Sequence, residues 1–313
     1  MEIQVVIPAY KPGESLTQLL DRLSSQTVKP DSVYVVNTEK KYWPEGLEDH
    51  FSPLKLTHIA REEFDHGGTR RAAAAASSAD VLVFMTQDAV PADQYLIEKL
   101  TEPFRKDPAV GVVFGRQLAR QESGLVEKMY REYNYPEKSY FREKKDLKKY
   151  GIKAFFCSNV CAAYRMAAYQ MAGGFPEHAI FNEDMVLCSR ILEKGFKVCY
   201  MSQAKVYHSH DYTWSMQFHR SFDLGVSHAQ FPDVFGNVSS ESEGIRMVLQ
   251  NTGKLLKKRE LRAAGGLWIS SAARYVGYRL GKSYFRLPAS WLPGLTMNPD
   301  YWNKAKPAGA STD

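Results

Sequence analysis

Short apolar runs alternate with stretches of helical spacing through the first two thirds of the chain. Val5-Val6-Ile7-Pro8 predicts a first strand, closed by Pro8 and the loop Ala9-Tyr10-Lys11-Pro12-Gly13. Leu16, Leu19, Leu20 and Leu23 fall at i, i+3, i+4 and i+7, the spacing of one helix face, and Val33-Tyr34-Val35-Val36 predicts the next strand. That is a βαβ unit. It carries no GxGxxG, so a dinucleotide fold of the usual type has little support. A short third strand is predicted at 56–59 and a helix from Arg70 through the alanine run to Ser77. Val81-Leu82-Val83-Phe84-Met85 has no polar side chain, as in a strand of a parallel sheet buried on both faces, and it stops abruptly at Thr86-Gln87-Asp88.

Further on, a helix is predicted at 93–104 and a strand at 110–114. Residues 121–153 turn to Glu, Lys, Arg and Tyr, the composition of a solvated helix with a mobile loop at 136–149, either a lid or a plain exposed loop. Apolar character returns at 154–164 as a strand pair interrupted by Ser158 and Asn159. Gly173-Gly174-Phe175-Pro176 is a turn, and Asn182 is an N-cap for a helix at 185–194 that Gly195 ends, with Glu183 and Asp184 in its first turn. Strands at 197–201 and 204–207 deliver His208-Ser209-His210. Trp214, Phe218 and Phe222 give a following helix its apolar side. The predicted architecture is α/β, a mixed but mainly parallel central sheet flanked by helices, with a helical carboxyl-terminal extension.

Composition adds bounds. At 313 residues, 44% hydrophobic and 24% charged, the chain can bury a large core, and one large domain with an appendage is expected. A formal charge of +6 favours anionic partners. Nucleic acid is not expected among them, because the cations concentrate in the terminal helices instead of gathering with aromatics into a groove. No apolar stretch of about 18 residues occurs, so no membrane span is predicted. The start of the chain lacks the regions of a signal peptide, which points to a cytoplasmic protein. Cys157, Cys161, Cys188 and Cys199 form no CxxC pair and are expected as buried free thiols.

Several side chains suggest chemistry. Asp88 falls at the carboxyl end of the fourth strand, where open α/β sheets bind ligands, so it suits a metal and a phosphorylated ligand; it could equally start a turn. His66-Gly67-Gly68 opens a helix with Arg70 and Arg71 in its first turn, a diphosphate site or simple turn chemistry. Glu183 and Asp184 complement a helix dipole, and the same dipole favours the ionised carboxylate that a general base requires. His208 and His210 share one face of an extended chain, as metal ligands or satisfied polar residues. Residues 253–286 are amphipathic and basic. Their cations, set against Glu260 alone, fit an anionic membrane surface or a basic helix pair packed on the core, and a second subunit, as in a homodimer, is a further possible partner. Residues 304–313 are rich in Pro, Gly, Ser and Thr and are expected to be disordered.

The ordered set Val6-Ile-Pro-Ala-Tyr10, Phe64-Asp-His-Gly-Gly-Thr-Arg70, Phe84-Met-Thr-Gln-Asp-Ala89, Phe156-Cys-Ser-Asn-Val-Cys-Ala-Ala-Tyr-Arg165, Gly174-Phe-Pro, Glu183-Asp184, Val206-Tyr-His-Ser-His210 and Tyr275-Val-Gly-Tyr-Arg-Leu-Gly281 resembles the family-two inverting glycosyltransferases of GT-A fold. Within them it is most similar to the rhamnosyltransferases of bacterial surface-polysaccharide assembly. The resemblance implies a GT-A domain at 1–212, with a nucleotide-sugar half at about 1–120 and an acceptor and base half at 121–212, followed by an extension at 213–303. It implies dTDP-β-L-rhamnose as donor, another nucleotide sugar such as a UDP-hexose being the alternative, and Mg2+ or Mn2+. The acceptor would be a lipid-linked saccharide, met with peripheral contact on the inner face of the plasma membrane. Asp88 stands for the second acid of the family's DxD motif, whose first is Thr86 here, with Gln87 between. His208 is a further metal ligand, with His210 as alternative, and Asp184 of the Glu183-Asp184 pair is the base. Pro8, Ala9, Tyr10, Asn37 and Thr38 fall where the nucleoside is held, and His66, Gly67, Arg70 and Arg220 near the diphosphate. Gln217-x-x-Arg220 lacks the Trp of the processive QxxRW motif, Ser221 standing in its place.

Overall fold

The computed structural model describes residues 1–210, 212–236 and 241–304. The tail expected to be disordered lies, from residue 305 on, outside the described residues. The chain forms two compact units, Met1–Glu177 with Glu183–Asp211, and His178–Asn182 with Tyr212–Asp313.

The first unit is built on a nine-stranded sheet. Its strands are β1 (Ile3–Tyr10), β2 (Ser32–Thr38), β3 (Leu54–Ile59), β4 (Val81–Met85), β5 (Val90–Pro91), β6 (Val110–Leu118), β7 (Tyr140–Arg142), β8 (Cys161–Arg165) and β9 (Lys197–Tyr207). They lie in the order β3-β2-β1-β4-β8-β6-β9-β5, with β7 on β9. β3, β2, β1, β4, β6 and β9 run one way, and β8 is antiparallel to both its neighbours. Every residue of β4 is buried, as its unbroken apolar run requires. Leu16, Leu19, Leu20 and Leu23 of the helix Glu14–Ser24 are fully buried in the core below β1 and β2, and Leu96, Ile97 and Leu100 of Leu96–Lys106 join the same cluster. The four cysteines are buried and unpaired.

Five local expectations change. Pro8 does not close β1, which continues to Tyr10; β4 pairs with β1 only as far as Val6, so the missing N–H of Pro8 falls where no ladder partner waits. The helix after β3 begins at His66, ahead of Arg70, so Gly67 and Gly68 lie inside its first turn, and Asp65 caps it by accepting from Gly68 N–H at 2.6 Å. Residues 154–164 contain no strand pair but only the start of β8 at Cys161, after a 3-10 turn at Gly151–Ala154, and the supposed loop at 136–149 contributes β7 to the edge of β9. The two strands expected at 197–207 are one, bulged where β6 steps from Gly115 to Arg116 while β9 steps from Met201 to Lys205. Gly115 makes that bulge possible: a Cβ there would lie 2.8 Å from the Ala204 carbonyl oxygen.

The second unit is helical, with Trp214–Gln230, Glu241–Lys257 and Leu261–Lys282 as its long members. Trp214–Gln230 and Leu261–Lys282 approach backbone to backbone. A Cβ at Gly225 would fall 2.2 Å from Tyr278 O, one at Gly277 2.3 Å from Phe218 O, and one at Gly281 2.0 Å from Phe222 O. Phe222 and Val226 are buried with Ile180 and Leu292 beside this crossing. The expected outcome of Gly281→Ala is a loss of about 1–3 kcal/mol in urea unfolding, because the methyl must push the helices apart. Gly265→Ala, which meets nothing within 4 Å, should leave stability unchanged or raise it by up to about 1 kcal/mol.

Candidate active site

The loops after β4 and β9 carry the first cluster. Thr86-Gln87-Asp88-Ala89 is a turn closed by Ala89 N–H donating to Thr86 O at 3.0 Å. His208 extends the β6–β9 ladder by one step, its N–H donating to Leu118 O at 2.9 Å. The Nε2 atoms of His208 and His210 lie 3.5 and 3.4 Å from Asp88 Oδ2. They are 3.0 Å from each other.

Gln117, buried at the end of β6, decides which proton His208 carries. The guanidinium of Arg131 can only donate, so the Gln117 atom that meets it is the carbonyl oxygen Oε1. His208 Nδ1 meets that same oxygen at 3.1 Å and must therefore be the protonated nitrogen. Its Nε2 then presents a lone pair towards Asp88, the arrangement by which a second partner orients a metal-binding imidazole. Between two imidazole nitrogens and a carboxylate oxygen, either a proton on His210 or a cation has to sit. The three ligand atoms lie within 4.8 Å of one another, a donor set that fits a divalent ion.

Gln117 also leads to the second cluster. Its Nε2 donates to Ser158 Oγ at 3.0 Å and to Tyr135 Oη at 2.5 Å. The next residue, Asn159, donates its backbone N–H to Asp184 Oδ2 at 3.0 Å and its side-chain amide to Glu183 Oε1 at 3.0 Å. Tyr164 fixes that amide by donating to Asn159 Oδ1 at 2.8 Å. A single bonded segment thus joins the acid–imidazole cluster to the Glu183-Asp184 pair.

The pair is electrostatically divided. Burial pushes the Glu183 carboxyl up, but the Arg70 guanidinium at 3.2 Å, His66 and the Asn159 amide outweigh it and hold Glu183 below its usual range. Among the described residues Asp184 has no ion-pair partner. Burial and the neighbouring Glu183 charge raise it to about 7, against the pull of its bonds from Asn159 and Met185 N–H. The dipole argument alone, which favours ionisation, is overridden by desolvation. Asp184 as a residue is only partly buried. Asn182, expected as N-cap, directly precedes the helix Glu183–Glu193 and has a left-handed backbone with φ 59°.

The third cluster lies at the ends of β1 and β2, where Ala9 and Tyr10 pair with Asn37 and Thr38. Gln87 grips the tip of β1 from both sides, accepting from Tyr10 N–H and donating to Tyr10 O, each at 2.9 Å. Pro8 and Ala9 complete the tip. Asn37 donates to Glu39 O, which leaves its buried Oδ1 unpartnered, as are the buried hydroxyls of Thr38 and Thr86. Lys11 and Arg61 lie 5.3 and 6.0 Å from the Tyr10 ring centroid. His66 and Gly67 sit at the helix start; Arg70 is buried and turned to Glu183, its Nη1 also donating to His66 O. Arg220 belongs to the second unit, with its guanidinium 4.5 Å over the Phe181 ring.

Gln117 lies beyond the strand that the apolar run predicts at 110–114, because β6 continues four residues further, to Leu118. Asn159 was visible only as a polar break in an apolar run.

The glycosyl transferase family 2 model matches residues 4–171, more than half the chain. The chain belongs to glycosyl transferase family 2. This glycosyltransferase is 37% identical over 307 residues to the O-antigen chain rhamnosyltransferase RfbN of Salmonella typhimurium (strain LT2), covering 97% of this chain and 96% of that one. It is 34% identical to the O-antigen chain rhamnosyltransferase WbaN of Salmonella anatum, with 96% and 95% covered. Among solved structures, the mannosyltransferase PcManGT from Pyrobaculum calidifontis, in complex with GDP-Man and Mn2+, aligns with a TM-score of 0.55 at 15% identity, over 96% of this chain and 84% of that one. TarS 1–349 of S. aureus aligns with a TM-score of 0.52 at 15% identity, over 91% of each chain. These similarities make the first unit's curled, mostly parallel sheet a GT-A fold.

Two outcomes follow from the divided pair. In Arg70→Met the charge that lowers both carboxyls is lost, so the Asp184 carboxyl, followed by NMR titration, should titrate above its wild-type position, with a stability loss of about 3–5 kcal/mol for the uncompensated buried Glu183. Asp184 keeps its proton to about pH 7 when folded and loses it near 3.8 when unfolded, so the native state holds the extra proton between these values and is destabilised as pH rises through them. Urea unfolding should therefore show Asp184→Asn gaining stability relative to wild type between acid and neutral pH.

Proposed function

We propose that this glycosyltransferase moves L-rhamnose from dTDP-β-L-rhamnose to a sugar hydroxyl of a lipid-linked O-antigen saccharide, with inversion at the anomeric carbon. The observation that carries the reading is Asp184, raised to about 7 and joined through Asn159, Ser158 and Gln117 to the Asp88, His208 and His210 cluster. A general base works best with a pKa near the working pH, and here it is paired with groups suited to an anionic leaving group. The names of RfbN and WbaN support rhamnose as the sugar.

Residues 1–120 would hold the donor, residues 121–212 the acceptor and base, and residues 213–303 form the extension. At the donor end, the unpartnered Asn37 Oδ1 can accept from the ring N–H of a thymine or uracil, beside the Thr38 hydroxyl. The Tyr10 ring, held in place through its backbone by Gln87, offers a stacking face. A divalent ion on Asp88, His208 and His210 would neutralise diphosphate charge as the bond to the sugar breaks. Two imidazoles in that set favour Mn2+ over Mg2+, which prefers oxygen ligands.

In the transfer, the acceptor oxygen forms its bond to the anomeric carbon on the face opposite the diphosphate. The carbon–oxygen bond to the β-phosphate breaks, its electron pair leaves with dTDP, and the acceptor proton passes to Asp184. Glu183, tied to Arg70 and Asn159, stays ionised and does not compete for that proton.

Product analysis with purified enzyme, dTDP-β-L-rhamnose and a synthetic saccharide acceptor tests the proposal, with an α-linked rhamnoside as the expected product. Asp184→Asn should bind donor normally and lose turnover by several orders of magnitude; near-normal turnover would remove the base assignment. Chelation should abolish wild-type transfer and Mn2+ should restore it. If UDP displaces bound donor better than dTDP does, the donor is a UDP-sugar.

A further inference from the structure

The two long helices nearest the carboxyl end carry a surface that the transfer chemistry does not use. On Glu241–Lys257, the exposed Ile245, Leu249 and Leu256 follow at i, i+4 and i+11, and on Leu261–Lys282 the exposed Leu261, Trp268 and Tyr275 recur every seven residues. Either spacing makes one stripe along a helix. The stripes meet, because Ile245, Leu249, Trp268 and Tyr275 all line one cavity of about 440 Å³. Ile269 and Val276 widen the second stripe. Among the described residues, eleven of the eighteen exposed large apolar side chains fall between Ile245 and Met297, so the surface is a patch and not scatter.

Charge argues for what covers it. The turn between the helices carries Lys254, Lys257, Lys258, Arg259 and Arg262, all exposed, against Glu260 alone. A symmetric second copy would put two such basic turns into one interface, and that like charge opposes association. An anionic lipid surface complements it, and Trp and Tyr beside Lys and Arg are the side chains that settle at a membrane interface. No described helix is long and apolar enough to cross a membrane, so these helices would lie along a bilayer.

We propose that this face docks on an anionic phospholipid bilayer, the basic turn at the headgroup phosphates, the stripes at the acyl boundary, and the cavity open to a lipid chain. The proposal deepens the lipid-linked acceptor of the reaction above and rests on it only for its purpose. Sedimentation with vesicles of phosphatidylcholine alone, or mixed equally with phosphatidylglycerol, tests it without any sugar nucleotide, so a failed rhamnose assignment leaves the result intact. Wild type should bind the mixed vesicles at least about tenfold more tightly than the neutral ones, and salt should weaken that binding. Lys257→Glu/Lys258→Glu/Arg262→Glu should weaken it by about a hundredfold or more. Trp268→Ser/Tyr275→Ser should also release the protein while unfolding normally and keeping full activity on a water-soluble acceptor. Equal binding to both vesicle types, no binding, or charge-reversed protein that binds like wild type would overturn the proposal. So would a concentration-dependent dimer in sedimentation velocity that the Trp268→Ser/Tyr275→Ser variant abolishes.

Discussion

Two neighbouring carboxyls at the start of a buried helix cannot both ionise cheaply, and much of the first unit is arranged around which of them does. Arg70 reaches Glu183 from the helix after β3, and Asn159 reaches it from the approach to β8. Among the described residues, Asp184 receives only backbone N–H groups. The asymmetry comes from position: the same low-polarity surroundings that make Glu183 depend on its cation keep a proton on its neighbour. Neither residue has this behaviour alone, and Arg70, expected near the diphosphate, pairs with Glu183 in this fold.

The sheet supplies the geometry. β8 runs against the direction of β4 and β6 and enters the sheet between them, so the residues just before it arrive beside the ends of both neighbours. Val160 O accepts from Thr86 N–H two residues before Asp88, while Ser158 meets Gln117 and Asn159 meets the acids. Three consecutive residues therefore face three different parts of the site. Because each contact is a hydrogen bond within a packed interior, the spacing of Asp184 and the acid–imidazole cluster is set by the ladder and not by a flexible loop.

What could be read from the chain follows its local physics. The unbroken run of β4, the leucine face of Glu14–Ser24 and the alternation of His208 and His210 all carry their own signal, and their placement follows. Pro8 misled because its tolerance depends on where β4 stops pairing, a fact of the neighbouring strand. The apolar run stops at Phe114, but Gly115, against which Ala204 presses, carries β6 on to Leu118, and Gln117 lies in that continuation. The helix dipole at Asp184 is legible; the desolvation that overrides it is not, since burial is a property of the assembled core. Arg70 and Glu183 sit far apart in the chain, and no spacing rule joins them.

The grip of Gln87 on both backbone groups of Tyr10 has an evolutionary corollary. A clamp addressed to the main chain is blind to the side chain it holds, so the ring at that tip can be exchanged for another residue without loosening the two strands. Gln87 itself has no such latitude, because a carboxylate in its place would lack the donor half of the pair. Relatives that recognise different bases could thus diverge at the tip while keeping an amide in the turn.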